Sequence, residues 1–267
     1  LRKNLALKQL WQQRPATPPR EALAWLGEPI SIKEPTAALF RRQSGRNLFV
    51  LGQDEAGTQG VLAAALLSLV PQYPAGSAQF HFVTVAPEGE EVRPLVELAR
   101  RVGLPLCSGR EVASLMKSLA DELAERQAHP QQERPPVYLF IHGLQRLRDL
   151  RKAEDDYGFS KDAATPSQQF SLLLREGPSL GMHALVTVDG LGGLVRCIDR
   201  GTLREIEIRV LFQMSSADSS NLIDTPLASR LGLHRALFSS EDQGKLEKFR
   251  PYGLPDGDTL EQLGIPT

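Results

Sequence analysis

Asn47-Leu-Phe-Val-Leu-Gly-Gln-Asp-Glu-Ala-Gly-Thr-Gln59 runs directly into the Ala/Leu-rich stretch Gly60–Val70. A short apolar run closed by a glycine reads as a strand covered on both faces, Asn47–Leu51. The Ala/Leu stretch reads as a buried helix over Thr58–Leu69. Strand, Gly-x-x-x-x-Gly and helix is the layout in which backbone N–H groups and a helix N-terminus hold phosphates. The loop spans Gly52, Gln53 and Gly57. A nucleotide-binding version continues with Lys, which reaches the β- and γ-phosphates, and then with a Ser or Thr that holds magnesium. Here those positions are Thr58 and Gln59, and Asp54 and Glu55 put negative charge where phosphates would lie. On spacing alone the segment reads equally as an ordinary strand-to-helix turn.

Outward from this point, apolar runs alternate with helical patterns. Further strands are expected at Phe80–Ala86, Val137–His142, Ala184–Asp189, Ile208–Gln213 and Arg235–Ser239. Helices are expected at Val92–Val102, Glu111–Gln127 and Pro166–Glu176, the last opened by Thr165 as cap and Pro166 at the first position. In Glu111–Gln127 the residues Val112, Leu115, Met116, Leu119 and Leu123 share one stripe. Such alternation predicts an α/β fold with a mostly parallel sheet and helices on both faces. Trp25–Pro35 reads as an extended or hairpin-like lead-in. The chain has 267 residues, 31 Lys+Arg against 32 Asp+Glu, five His and two Cys. This balance argues against a freestanding nucleic-acid binder, which is usually markedly basic. No apolar run reaches the roughly 18 residues of a membrane span, so no membrane contact is expected. Cys107 and Cys197 have no metal-ligand spacing, the histidines sit at none, and Glu90-Glu91 lies in a polar loop. No metal site is expected, and two lone cysteines point to a cytoplasmic setting.

The strand Val137–His142 ends in His142-Gly143. In nucleotide hydrolases the equivalent strand ends in an acid pair that holds magnesium and polarises water; both acids are absent here. His142 by itself reads as a satisfied structural residue. Gly181-Met-His-Ala-Leu-Val-Thr-Val-Asp189 resembles the FtsK/SpoIIIE translocase strand that reads Gly-Ile-His, then an apolar run ending Ala-Thr-Gln. Arg209-Val-Leu-Phe-Gln-Met-Ser-Ser-Ala-Asp-Ser-Ser-Asn-Leu-Ile-Asp224 resembles that family's Arg-Ile-Ala-Phe…Asp-Ser-Arg-x-Ile-Leu-Asp segment, and Leu231-Gly232 with Arg235–Phe238 resembles its close. The likeness keeps one order from about residue 25 to 240. It implies a RecA-like P-loop NTPase fold of FtsK/SpoIIIE (HerA-like) type. Carried over by position, Asp189 stands for the sensor Gln, and Arg209, with Arg204 near it, for an arginine facing a neighbouring subunit. Asp218 and Ser219 fall on the family's Asp-Ser pair, read as a turn and helix cap. The loop Lys, its hydroxyl and both acids have no counterpart.

The resemblance therefore implies a catalytically degenerate ATPase domain, with no catalytic residue and no cofactor of its own, serving as a structural or regulatory module of a larger ATP-driven DNA translocase. ATP and magnesium would act elsewhere in the parent. Two alternatives stand beside it: a peptide-binding pseudo-ATPase domain of an EccC-like secretion motor, and an interaction module of a defence or signalling protein. The partners implied are neighbouring ATPase domains and, through the assembly, double-stranded DNA or a protein substrate. Arg146, Arg148, Arg151 and Lys152 are the main candidates for such contacts, with Arg41, Arg42, Arg46, Arg196 and Arg200 behind them. Glu154, Asp155 and Asp156 offset the first cluster, which reads also as a solvated charged face. Leu1 at the first position and the Pro-rich Arg14–Pro19 predict a piece of a longer protein. The expected layout is a linker or docking segment at 1–24, the domain at 25–253 and a tail at 254–267, with Phe249 and Tyr252 packing as a terminal strap.

Overall fold

The computed structural model describes residues 1, 4–152 and 164–265; Glu154, Asp155 and Asp156 lie outside them. Helix α1 (Leu5–Gln12) starts where Asn4 Oδ1 accepts from the Leu7 N–H at 3.0 Å. Strands β1 (Ala22–Pro29) and β2 (Thr36–Phe40) form an antiparallel pair. Next come β3 (Leu48–Leu51), α2 (Glu55–Leu69), β4 (Gln79–Thr84), α3 (Arg93–Arg101), β5 (Leu106–Ser108), α4 (Val112–Ala128) and β6 (Val137–His142). Helix α5 (Pro166–Glu176) opens with a capping box between Thr165 and Gln168. After it run β7 (Met182–Val188), the short helices α6 (Leu191–Val195) and α7 (Arg200–Arg204), β8 (Ile208–Leu211) and α8 (Ser216–Ile223). The chain closes with β9 (Ala236–Ser240), β10 (Lys245–Pro251) and α9 (Gly257–Leu263).

All strands of the described residues join one ten-stranded sheet, in the order β2-β1-β10-β9-β8-β3-β7-β6-β4-β5. From β8 to β5 every pairing is parallel; from β8 outward to β2 every pairing is antiparallel. The chain leaves β3 for β4 and β5, returns through β6 and β7, and crosses β3 to reach β8. A change of direction of that kind opens a crevice beyond the C-terminal ends of the strands, the usual place for a site in an open α/β sheet.

The central strands β3, β6, β7 and β8 are buried along their whole length and mostly apolar because both faces are covered. On one side Leu48 and Val50 of β3 pack with Val61, Leu62 and Leu66 of α2. On the other, Phe49 and Leu51 join Met116 and Leu123 of α4 and Phe170 and Leu174 of α5. Among the described residues no helix is long and apolar enough to cross a membrane.

The ends of the chain depart from the expected layout. The 1–24 segment docks on its own chain: Leu7 is fully buried in the core, and the Trp11 indole N–H donates to the Leu67 carbonyl at 3.0 Å. Residues 245–251 are no strap over the surface, since β10 sits between β9 and β1 within the sheet. Phe249 and Tyr252 are buried there as structural packing, and the 254–267 tail adds α9, with Leu260 and Leu263 buried. Arg46 is also corrected. It is wholly buried and ion-paired with Asp242, so it offers nothing to a phosphate backbone.

Candidate functional site

Parallel pairing places the ends of β3, β6 and β7 side by side, and with them the positions singled out in the sequence. Gly52, Gln53, Thr58, His142, Gly143 and Asp189 line a common cavity of about 80 Å³. Gly57 and Gln59 flank it in the first turns of α2. A neighbouring cavity of about 500 Å³ shares Gly52, Gln53 and Asp189 with the first.

What distinguishes the loop is where its polar groups go. Asp54 caps α2: its Oδ1 accepts from the Gly57 N–H at 2.9 Å. That N–H, at the positive end of a fifteen-residue helix, is the kind of donor that a phosphate takes. Gly57 has a packing reason as well, since a Cβ there would lie 2.4 Å from the Phe212 ring. Thr58, in the lysine position, turns its hydroxyl to the Glu55 carbonyl at 3.0 Å. Gln59, in the magnesium-hydroxyl position, is buried, and its Nε2 donates to the Glu91 carbonyl at 3.0 Å.

At the end of β6, His142 is buried with Nδ1 3.4 Å from the Thr84 hydroxyl. Burial, then the nearby Arg146 guanidinium, pushes its pKa down to about 4, against a smaller opposing pull from Glu91. The imidazole is thus neutral at pH 7 and supplies neither a metal-holding carboxylate nor a cation for a phosphate. The Gly143 N–H donates to the Thr187 hydroxyl at 2.9 Å, joining the ends of β6 and β7. Asp189 is exposed at the rim. Among the described residues, then, the positions that would hold an ATP–magnesium complex do not fit it: no lysine lines the cavity, Gln59 stands in place of the magnesium hydroxyl, and His142-Gly143 in place of the acid pair.

The remaining candidates separate. Arg146 reaches over the cavity, 3.5 Å from Glu55 and 3.8 Å from Glu91, so the loop glutamate once read as merely polar belongs to the site. Arg148, Arg151 and Lys152 are exposed beyond it, with Arg151 donating to the Gln145 carbonyl at 2.7 Å. Arg209 is 5% exposed, pairs with Glu241, and donates to the carbonyls of Leu222 at 2.8 Å and Leu203 at 3.0 Å. It points into its own domain, whereas Arg204 is exposed. Thr84, Thr187 and Phe212 were not singled out in the sequence, and Glu91 only as part of a polar loop. Nothing local marks them, because they come from the ends of three strands, Thr84 and, in the loop that follows, Glu91 from β4, Thr187 from β7 and Phe212 from β8.

No protein-family model matches the chain, and no curated protein sequence does. Solved structures do match. The conjugation coupling protein TcpA of pCW3, in its monomer form with ATPγS, superposes with a TM-score of 0.63 at 15% identity, over 96% of this chain and 75% of that one. The second and third ATPases of Geobacillus thermodenitrificans EssC give 0.64 at 14% identity, over 94% of this chain and 49% of that one. This chain has the fold of such ATPase domains. A third match, at 0.63 and 12% identity, is Thermomonospora curvata EccC (ATPases 2 and 3) in complex with a signal sequence peptide, over 88% of this chain and 41% of that one. The chain spans less than half the length of the EssC and EccC structures it matches.

Proposed function

We propose that this chain is a catalytically silent ATPase-fold domain that works by packing against neighbouring ATPase domains of a larger ATP-driven motor. The observation that carries the reading is the Asp54 carboxylate on the Gly57 N–H: the loop provides its own anion where a working site receives a phosphate. Phosphoryl transfer depends on positive charge and a metal ion placed around the γ-phosphate. At this loop the nearest cation, Arg146, is shared between Glu55 and Glu91, and an entering phosphate would meet Asp54 and Glu55 first. ATP and magnesium are assigned to a neighbouring domain and none to this one.

The Asp54, Thr58 and Gln59 side chains all find partners within the chain, so this arrangement of the loop forms without a ligand. That suits a module whose surfaces stay in one arrangement while a neighbour cycles. The fold match to structures holding two ATPase domains makes such a neighbour the first partner. DNA is the cargo that the resemblance to translocases implies. With Arg146 turned into the cavity, only Arg148, Arg151 and Lys152 of the basic cluster are left to face it.

The test is calorimetry of the domain with and without 1 mM ATP and magnesium. A ligand at about 100 times its Kd adds about 2.7 kcal/mol, which for a domain of this size raises Tm by about 5–10 °C. The expected shift is below about 1 °C, with no phosphate release. The triple variant Asp54→Ser, Thr58→Lys, Gln59→Thr is expected to gain a shift. A clear shift or ATP turnover in the wild type, lost in Asp189→Ala, would overturn the proposal.

A further inference from the structure

Between the short helices α6 and α7, which fill the connection from β7 to β8, and α8 beyond β8 lies a groove of about 540 Å³. Its floor is fixed from within the chain. Arg209, 5% exposed, donates to the carbonyls of Leu203 in α7 at 3.0 Å and Leu222 in α8 at 2.8 Å, and pairs with Glu241 in the turn after β9. One buried guanidinium thus ties three elements together. Asp199 anchors the start of α7, accepting from the Thr202 N–H at 2.8 Å and from the Thr202 hydroxyl at 2.9 Å. The walls are aliphatic and open to a ligand: Val195 is 40% exposed, and Leu191 and Leu203 are half-buried.

The rim of the groove is unevenly charged. Arg200 and Arg204 line it from the two ends of α7. Four residues apart on a helix they share one face, a spacing at which like charges repel. Both are exposed, and among the described residues neither guanidinium has a carboxylate within ion-pair distance. Asp199, their neighbour in sequence, is held by Thr202, and Glu241 by Arg209. Asp224 is the one further carboxylate on the rim. Two uncompensated cations therefore stand against a single anion, above walls that a side chain can touch.

We infer that this groove docks an acidic segment of a partner protein, which sets one aliphatic anchor among Leu191, Val195 and Leu203 and places carboxylates on Arg200 and Arg204. An apolar anchor in a pocket, ringed by polar contacts, is the pattern by which short segments bind. Guanidinium groups match carboxylates in geometry as well as charge. The floor that Arg209 ties together is preformed, which lowers the ordering cost of binding. A nucleic-acid backbone fits less well: its phosphates would meet Asp224 and Glu241, and its sugars and phosphates have no group for walls of leucine and valine. None of the groove's lining residues belongs to the Gly52–Gln59 loop, so its occupant does not depend on whether that loop takes nucleotide.

The probe is a phage-displayed library of short random peptides, selected on the whole folded chain, with the strongest binder then synthesised and titrated by fluorescence anisotropy. The expected consensus is one Leu, Ile, Val or Met flanked by Asp or Glu, bound about tenfold more weakly at high salt than at low. Arg200→Glu and Arg204→Glu, both at exposed positions, are expected to weaken binding about tenfold each with an unchanged Tm, and Arg204→Lys should retain part of it. Val195→Glu, which charges the exposed wall, is expected to abolish binding. Asp224→Asn keeps a residue that tolerates the left-handed backbone of that position (φ 55°) and should strengthen binding severalfold. No enriched peptide, a consensus without acidic residues, indifference to both arginine reversals, or displacement of the peptide by a short DNA duplex would overturn the assignment. So would a dimer of the chain alone that Val195→Glu dissociates, since a second copy would then fill the groove.

Discussion

At the scale of single residues, buried imidazoles set the acid limit of this domain. His183 is enclosed by Phe40 and Tyr138, and His142 by the ends of β4 and β6; each has its pKa driven down to about 4 from 6.5. The unfolded chain binds protons at these sites below about pH 6.5 while the folded chain does not until about pH 4. Stability is therefore complete above about pH 6.5 and is lost as pH falls towards 4, by about 3 kcal/mol for each fully buried ring. Urea unfolding at pH 7.5 and 5 checks this. His142→Gln is expected to shrink the difference between the two pH values, and a flat profile in the wild type would contradict the burial argument.

Among the elements, α2 carries the most weight, since nearly all of it is buried. Its contacts reach the far end of the chain: a Cβ on Gly60 would stand 2.3 Å from the Tyr252 carbonyl. Helix propensity alone says that Gly60→Ala should stabilise by about 1 kcal/mol. Here the opposite sign is expected, because backbone that close cannot accept a methyl group without moving α2 off the sheet. A loss of about 1–3 kcal/mol is predicted, read by urea unfolding; a gain would mean that the segment after β10 is free to yield. Such a glycine looks like a helix defect in the sequence, and only the position of residue 252 explains it.

For the molecule as a whole, the antiparallel half of the sheet closes the fold. β10 lies between β9 and β1, and Phe249 and Tyr252 fill the space beneath it, the latter donating its hydroxyl to Glu28 at 2.6 Å. Truncation after Ser240 is therefore predicted to uncover the first hairpin and abolish cooperative unfolding in calorimetry. A surface strap would cost only a degree or two. The parallel strands also end together on one side of the sheet and begin together on the other, and a cavity lies at each of those opposite ends, one lined by Gly52 and the other by Gly181.

The α/β class, the six strands of β3, β4, β6, β7, β8 and β9, and the loop from Gly52 to Gln59 were legible in the residues, because apolar runs, a Gly-x-x-x-x-Gly spacing and caps such as Thr165-Pro166 are local signals. That Thr58 and Gln59 follow Gly57, and that His142-Gly143 closes β6, was equally legible, being a matter of identity at known offsets. Illegible were β10, whose alternating Lys245–Pro251 buries little but Phe249, and the placement of Arg209, which burial turned inward. Contacts such as Arg146 with Glu91 or Phe40 with Tyr138 join residues far apart in the chain, and no local periodicity encodes them. Sequence determined which residues stand in the loop, and with them the Asp54 cap on Gly57, a contact only three residues long; the folded sheet decided what faces the loop, because only folding brings Arg146 across the cavity to Glu55 and Glu91.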